Sequence, residues 1–208
     1  LEPHRGLHED VLHREIDGSP KRSLGLTSAL LSRARRRDIE AIRGLTDRPR
    51  SAISGNSSYT AARIGEVYGI EAGVLLPSVV SDEFPAETGL DEPSETQNIS
   101  GPYAVSVGRA SWVKGAWETV SMLAGSGVSL AHVGGGAEED LVRLTKHAES
   151  CGVGLWVAPR LSSPEMAALI RGARAVVSMA HGEPFGLTPV EAISVGTPAL
   201  MVDEGGFR

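Results

Sequence analysis

The feature that most constrains the fold is a regular alternation of short apolar segments with longer amphipathic segments in the second half of the chain. Apolar segments of four to six residues recur between residues 103 and 202, with helical periodicity between them. Because parallel strands are covered by the helices that connect them, such segments read as strands buried on both faces. We therefore predict an α/β domain with a Rossmann-like parallel sheet of about five strands. The predicted strands are 103–107, 128–133, 153–157, 175–179 and 199–202, and the predicted helices are 116–123, 138–150, 164–170 and 187–195.

The first half of the chain lacks this alternation. Its sequence pattern predicts basic helices up to residue 50, a short strand at 51–54, a helix at 59–68 and an apolar strand at 74–80. Residues 81–101 are polar, acidic and rich in proline and glycine, which is typical of a linker. We predict three parts: residues 1–80, the linker 81–101 and the sheet domain 102–208. Residues 1–80 are too small and strand-poor for a comparable domain, so we expect them to be the tail of a domain whose beginning is absent.

The charge is distributed unevenly. Residues 21–50 carry nine Lys or Arg against three acids, so this segment is +6 and the remainder is −12, for a formal net charge of −6. An acidic remainder argues against broad nucleic-acid binding. Leucine and isoleucine recur at helical spacing among these cations. The segment either forms an amphipathic helix whose basic face is solvated, or it makes a weak peripheral contact with an anionic membrane through residues 21–50.

The single cysteine and the lack of a recognisable targeting signal indicate a reducing compartment. Cys151 is the single cysteine, so no internal disulfide framework exists, and its predicted role is to fill space. The sequence contains no run of 18 apolar residues and opens without a signal peptide. These features predict a cytoplasmic protein.

Two glutamates, Glu183 and Glu191, follow the fourth predicted strand. Pro189 suits the first turn of the helix that carries Glu191, because its missing N–H is not needed there, so Glu191 lies about one turn inside. The free N–H groups at the helix start, Gly186 and Leu187, would face an anion. Glu191 could then accept hydrogen bonds from a ribose, and Glu183 from hydroxyls on the other side of the phosphates. The arrangement fits a nucleoside diphosphate.

Two cations follow the first predicted strand. Arg109 and Lys114 lie in the loop that begins at Gly108, at the same edge of the sheet as the glutamate run. Two fixed positive charges can neutralise a leaving diphosphate without a metal. The alternative is a surface loop with two solvated cations, but the shared edge favours a phosphate site.

Other motifs exclude several functions or leave them open. Residues 134–136 are three glycines, but Glu139 stands where a G-x-G-x-x-G match needs glycine, which disfavours nicotinamide binding. The sequence has no P-loop, no Asp-x-Asp pair and no histidine with a second metal ligand at useful spacing, so we expect no metal site. His181 could contact substrate or be a polar surface residue, and Trp112 could border the pocket or pack. His132 is expected to be a hydrogen-bonded core residue.

Residues 103–206 resemble the donor-binding domain of the GT-B glycosyltransferases of family 4, the glycosyl transferases group 1 set. The resemblance rests on Glu183-Pro-Phe-Gly-Leu-Thr-Pro-Val-Glu191, Gly196-Thr-Pro198, Gly205-Gly206, the loop of Arg109 and Lys114, and the three glycines. Residues 56–69 and 77–84 resemble the end of the family's first domain running into its interdomain linker.

This resemblance implies a retaining, metal-independent transfer of sugar from a nucleoside diphosphate sugar to an unidentified acceptor, with no cofactor. It makes Glu183, Arg109 and Lys114 catalytic, and implies that 1–80 is an incomplete acceptor-side domain, that 102–208 lacks its final helix, and that this chain alone is inactive. A non-catalytic sugar-nucleotide-binding or scaffolding module, or a nucleotide-sugar epimerase, is the alternative. The implied donor-binding residues are Gly108, Arg109 and Lys114 at the diphosphate, Arg160 in the loop 159–161 at the nucleobase, Glu191 at the ribose, and Glu183, Phe185, Gly186, Leu187 and Thr188 at the sugar and its phosphate.

Overall fold

The computed structural model describes residues 1–78, 99, 101–158 and 160–208, which form two compact units. The helical unit consists of Leu1–Ser78, Gly182–Phe185 and Asp203–Arg208, and the sheet unit consists of Val79–His181 and Gly186–Val202. Nearly all of the predicted linker, 81–101, lies outside the described residues, so the predicted domain bounds stay a prediction.

The sheet unit contains the predicted parallel sheet. Its five strands are β3 Tyr103–Val107, β4 Ser129–Val133, β5 Leu155–Ala158, β6 Ala175–Ser178 and β7 Ala199–Met201. They pair in the order β5–β4–β3–β6–β7, and every pairing is parallel. The chain runs from β3 outward to β5 and then returns to the other side of β3, so strand order reverses between β3 and β6. The α/β fold is therefore confirmed, with bounds within two residues of those predicted.

Four helices connect these strands, and local signals set their ends. The helices are α4 Ala116–Leu123, α5 Glu138–Cys151, α6 Ser163–Gly172 and α7 Leu187–Ser194. Left-handed glycines precede α4 and follow α5, at Gly115 and Gly152. Ser162 and Glu165 form a capping box at the start of α6, in which each side chain accepts a hydrogen bond from the other residue's backbone N–H.

The core of the sheet unit lies between the strands and helices α6 and α7. Val105 and Val176 from the centre of the sheet pack with Leu169, Ile170 and Ala192, and each of these residues is fully buried. Burial of one such aliphatic side chain stabilises the fold by about 1.5–3 kcal/mol. This packing fixes the strand ends from which the candidate site is built.

The helical unit contains α1 Arg5–His8, α2 Leu24–Thr46 and α3 Ser58–Tyr68, together with a parallel pair of short strands, β1 Ser54–Gly55 and β2 Gly73–Val74. The basic segment forms one long helix, α2. The predicted strand at 74–80 is wrong over 75–78, where the chain is irregular. The pairing stops because β1 is only two residues long and Pro77 has no N–H to donate, and Leu75 and Leu76 are exposed as a result.

Part of the charge on α2 is used inside the helical unit. Asp38 Oδ2 lies 2.7 Å from His8 Nε2 and accepts the Tyr68 hydroxyl at 2.9 Å, so it joins α2 to both other helices. Burial and this bond to Asp38 raise the pKa of Tyr68 to about 12. Arg43 Nε donates to the Tyr68 carbonyl at 2.6 Å, and Arg35 donates to the Leu7 carbonyl. Among the described residues, α2 buries none of its own side chains, and no helix is both long and apolar enough to cross a bilayer.

Candidate functional site

The candidate site lies at the carboxyl ends of the strands, where strand order reverses. β3 and β6 are neighbours in the sheet, so the loop that follows β3 and the loop that follows β6 leave the same edge side by side. In open α/β sheets, this crevice is where ligands bind.

The loop after β3 carries both predicted cations. Arg109 is exposed and Lys114 is half-buried, and a short 3-10 turn at Trp112–Lys114 leads into α4. Gly108 has a φ of +144°, and a Cβ there would lie 3.2 Å from Lys114 Cγ, so the lysine stem packs over this glycine. The structure therefore brings Gly108, Arg109 and Lys114 together in one loop.

The three glycines after β4 pack against that loop. The Gly108 N–H donates to Val133 O at 2.8 Å, and the Ala110 N–H donates to Gly135 O at 2.7 Å. A Cβ on Gly134 would lie 2.6 Å from Gly108 O, a contact that only glycine permits. The glycines thus allow the backbones of two loops to touch, and this contact supports the loop of Arg109 and Lys114.

The same loop also contacts the segment that follows β6. The His181 N–H donates to Val113 O at 3.0 Å, and a Cβ on Gly115 would lie 2.0 Å from Met179 O. Residues 179–181 directly precede the two-glutamate motif. The loop of Arg109 and Lys114 is therefore fixed against residues 179–181.

His181 and Trp112, which the sequence singled out separately, are in contact. Their rings stack with centroids 4.3 Å apart and an interplanar angle of 22°. His181 Nε2 lies 2.9 Å from Glu118 Oε1, in the first turn of α4. Sequence reasoning missed Glu118, and the only signal for it was an acid at a helix start, which is common for other reasons.

Helix α7 carries Glu191 in its second turn, as predicted. Gly186 precedes the helix in a left-handed conformation with a φ of +87°, and no side chain of the described residues caps the helix start. Glu191 and Thr188 are half-buried, and Leu187 is exposed. The N–H groups of the first turn are thus left to bind something other than a capping side chain.

Glu183 and Phe185 belong to the helical unit, where the backbone around Glu183 is held at three consecutive residues. The Gly182 N–H donates to Glu204 Oε1 at 2.7 Å, and the Gly206 N–H donates to Glu183 O at 2.6 Å. Pro184 O accepts hydroxyl bonds from Thr60, at 3.2 Å, and from Ser57. Sequence reasoning used Gly205-Gly206 only as a motif and missed Ser57, Thr60 and Glu204. The one signal was the serine before α3, which reads as a helix cap.

A cavity of about 500 Å³ opens at the ends of β3, β4 and β5. Its walls are mainly apolar, and it has one guanidinium, that of Arg160. A flat heteroaromatic ring with polar edges suits such a lining. Pro159, which was predicted to border a nucleobase with Arg160, lies outside the described residues. The lining residues are Val107, Val133, Gly134, Gly135, Ala158, Arg160, Leu161 and Met166.

His132 is a buried core residue, as predicted. It lies in β4 and its Nδ1 is 2.8 Å from Ser106 Oγ. Burial lowers the pKa of His132, so the imidazole is held in its neutral form. Across the described residues, no group of three His, Cys, Asp or Glu side chains is arranged to hold a metal ion.

Comparison of the fold with solved structures finds glycosyltransferases. HepE from Anabaena, solved in complex with UDP and glucose, aligns with a TM-score of 0.66 and 16% identity over 82% of this chain and 49% of its own. A glycosyltransferase from Rickettsia africae aligns with a TM-score of 0.63 and 16% identity, over 75% of this chain and 45% of its own. At these identities the likeness establishes the fold, which is that of GT-B glycosyltransferases.

Comparison of the sequence agrees with the fold. D-inositol 3-phosphate glycosyltransferase 1 of Catenulispora acidiphila is 39% identical over 84 residues, which is 38% of this chain and 20% of the relative. This chain thus spans half or less of the length of each of these proteins. The sequence model described as "Glycosyl transferases group 1" matches residues 91–208, more than half of the chain. This match covers the whole described sheet with its cation loop and the two-glutamate motif, and the chain belongs to the glycosyl transferases group 1 family.

Proposed function

We propose that this chain binds a nucleoside diphosphate sugar and serves as the donor side of a retaining glycosyltransferase. The observation that carries the proposal is the contact between the loop of Arg109 and Lys114 and residues 179–181, at the reversal of strand order. The two cations and the uncapped start of α7 therefore lie on connections that leave the same edge of the sheet. A diphosphate is the group that such a set of donors binds.

The chemistry follows from the charge that develops when the diphosphate leaves. Arg109, Lys114 and the N–H groups of Gly186 and Leu187 bind the leaving group more strongly as its negative charge grows, which lowers the barrier. These groups supply positive charge without a metal ion or cofactor, and we propose that none is required. The acceptor is unidentified. Since the chain spans 45% and 49% of the two solved neighbours described above, we expect it to bind the donor rather than to turn it over.

The remaining donor contacts are assigned by position and motif. The cavity at Arg160 and Leu161 suits the nucleobase, because its apolar walls would cover the ring and the guanidinium could donate to its edge. Glu191, one turn inside α7, is assigned to the ribose hydroxyls. Glu183 and the backbone of Phe185 and Gly186 are assigned to the sugar and its phosphate by the family motif.

A nucleotide panel tests this function directly. We expect UDP, GDP or ADP to raise the melting temperature of the chain, and the matching nucleotide sugar to raise it at least as far. Glu191→Ala should reduce the shift, because a hydrogen bond to a carboxylate contributes about 1.5–3 kcal/mol. Glu149→Ala, which removes an exposed acid from α5, is the control and should leave the shift unchanged. If none of the nucleotides changes the melting temperature, the proposed function is wrong.

For the basic helix α2 we propose weak peripheral contact with an anionic membrane surface. A cavity of about 310 Å³ beside α2 is lined by His13, Lys21 and Arg22 together with Thr27, Leu30 and Leu31. Cations beside an exposed Leu30 and a half-buried Leu31 suit a lipid phosphate and the start of its acyl chain. The cytoplasm remains the proposed location.

Liposome sedimentation tests the membrane contact. We expect more of the chain to sediment with vesicles of phosphatidylserine and phosphatidylcholine than with phosphatidylcholine alone, and the difference to shrink for Lys21→Glu/Arg22→Glu. Each cation near such a surface contributes about 1 kcal/mol. Equal recovery in the supernatant with both vesicles would remove the membrane interpretation.

A further inference from the structure

We propose that His181 is a positioning residue that fixes the cations of the phosphate loop, through Trp112 and Glu118. The inference rests on the proposed function, because it concerns the loop assigned to the diphosphate. We call the three side chains of Trp112, His181 and Glu118 the imidazole clamp.

His181 makes three contacts with the segment that follows β3. Its ring face stacks on Trp112, with centroids 4.3 Å apart. Its backbone N–H donates to Val113 O at 3.0 Å, and its Nε2 lies 2.9 Å from Glu118 Oε1. His181, three residues after β6, is thus joined to the 3-10 turn by two contacts and to the first turn of α4 by the third.

These contacts surround Lys114. Trp112 and Val113 precede Lys114 and are held by His181, while Gly115 follows it and lies against Met179. The residues on both sides of the lysine are therefore placed by residues 179–181. The clamp determines where the ammonium group can reach, although none of its side chains has to touch the ligand.

The contact between His181 and Glu118 within the clamp supports a specific role for Glu118. Its second carboxylate oxygen, Oε2, is buried and has no hydrogen-bond partner among the described residues. Leaving such an oxygen unpaired is costly. The contact with His181 has to outweigh that cost, so it is the contact that holds the carboxylate at this position in α4.

Loss of the clamp should weaken diphosphate binding without affecting the nucleoside. By isothermal titration calorimetry, we expect His181→Ala to lower the affinity for UDP about 5- to 10-fold, because a loosely held cation must be ordered on binding. The affinity for uridine should stay within about 2-fold, since the nucleoside is assigned to the cavity at Arg160, whose lining includes neither Trp112 nor Lys114. Trp112→Ala should act like His181→Ala, and Trp112→Phe, which can still stack, should restore most of the affinity.

A double-mutant cycle separates positioning from general loss of structure. If His181 acts through Lys114, adding His181→Ala to Lys114→Ala should cost less than about 2-fold further, whereas independent residues would show the full product of the two effects. His147→Ala is a matched control, because His147 also stacks on a tryptophan, Trp117, with centroids 3.7 Å apart, but on the helices α4 and α5. It should leave UDP affinity unchanged.

The outcomes are distinct. If the unaltered chain binds UDP and Lys114→Ala weakens it, but His181→Ala binds like the unaltered chain or its effect multiplies fully with that of Lys114→Ala, the clamp is refuted and the proposed function stands. If UDP, GDP and ADP all fail to bind the unaltered chain, both proposals fall. Should His181→Ala lower the melting temperature too far for titration, Glu118→Leu keeps much of the side-chain volume while removing the acceptor that faces His181 Nε2. It should then show the same selective loss for UDP.

Discussion

Gly115→Ala is expected to unfold the loop of Arg109 and Lys114 and to abolish nucleotide binding. Gly115 has a φ of +62°, and an added Cβ would lie 2.0 Å from Met179 O and 2.2 Å from its carbonyl carbon. The left-handed backbone alone costs a non-glycine residue about 1–2 kcal/mol. The collision adds more, because a backbone carbonyl in a packed loop cannot move aside without breaking the neighbouring bond between His181 and Val113. We expect a total loss above about 3 kcal/mol in the free energy of unfolding, measured in urea.

Gly125→Ala is the matched control for this prediction. Gly125 has a φ of +73° but would have no heavy atom within 4 Å of an added Cβ. It should therefore show the backbone cost alone, about 1–2 kcal/mol, with nucleotide binding intact. Equal destabilisation by the two substitutions would contradict the close approach of Gly115 to Met179.

Lys114→Ala is expected to weaken the binding of a nucleoside diphosphate by about 1.5–3 kcal/mol, the contribution of one hydrogen bond to a charged group. That range corresponds to a loss of roughly 10- to 150-fold in affinity. The reason is the removal of one of two cations held in the same loop at the reversal of strand order. Titration of UDP and GDP measures the effect, and the loss should shrink at higher salt.

A second lysine provides the control for charge. Lys146 is exposed on α5, so Lys146→Ala makes the same change in net charge away from the loop. We expect its nucleotide affinity to stay within about 2-fold of the unaltered chain. If Lys114→Ala binds as tightly as Lys146→Ala, the assignment of Lys114 to the diphosphate is wrong.

The sheet could be predicted because its signals are local. Each strand is a short apolar segment with its own turn residues, and Gly152 and the Ser162–Glu165 box mark helix ends without reference to the rest of the chain. The strand predicted at 74–80 went wrong for the opposite reason. An apolar segment becomes a strand only where it has a partner, and β1 supplies one for just two residues.

The site was predictable by residue type but not by contact. The two cations and Glu191 follow from where strands end and helices begin. The stack of His181 on Trp112 joins residues on two separate connections of the sheet, and the hydroxyl of Ser57 meets a carbonyl 127 positions away. No local pattern specifies such pairs. The division into units shows the same limit, because residues 182–185 and 203–208 join the helical unit although the sequence around them belongs to the sheet.

That division has a consequence for how the chain folds as it is made. The helical unit starts at Leu1, yet it takes its last two pieces from beyond residue 181. During translation, Ser57 and Thr60 must wait for Pro184, and Glu183 must wait longer for Gly206. The segment assigned to the sugar can therefore reach its final conformation only after all five strands of the sheet have left the ribosome.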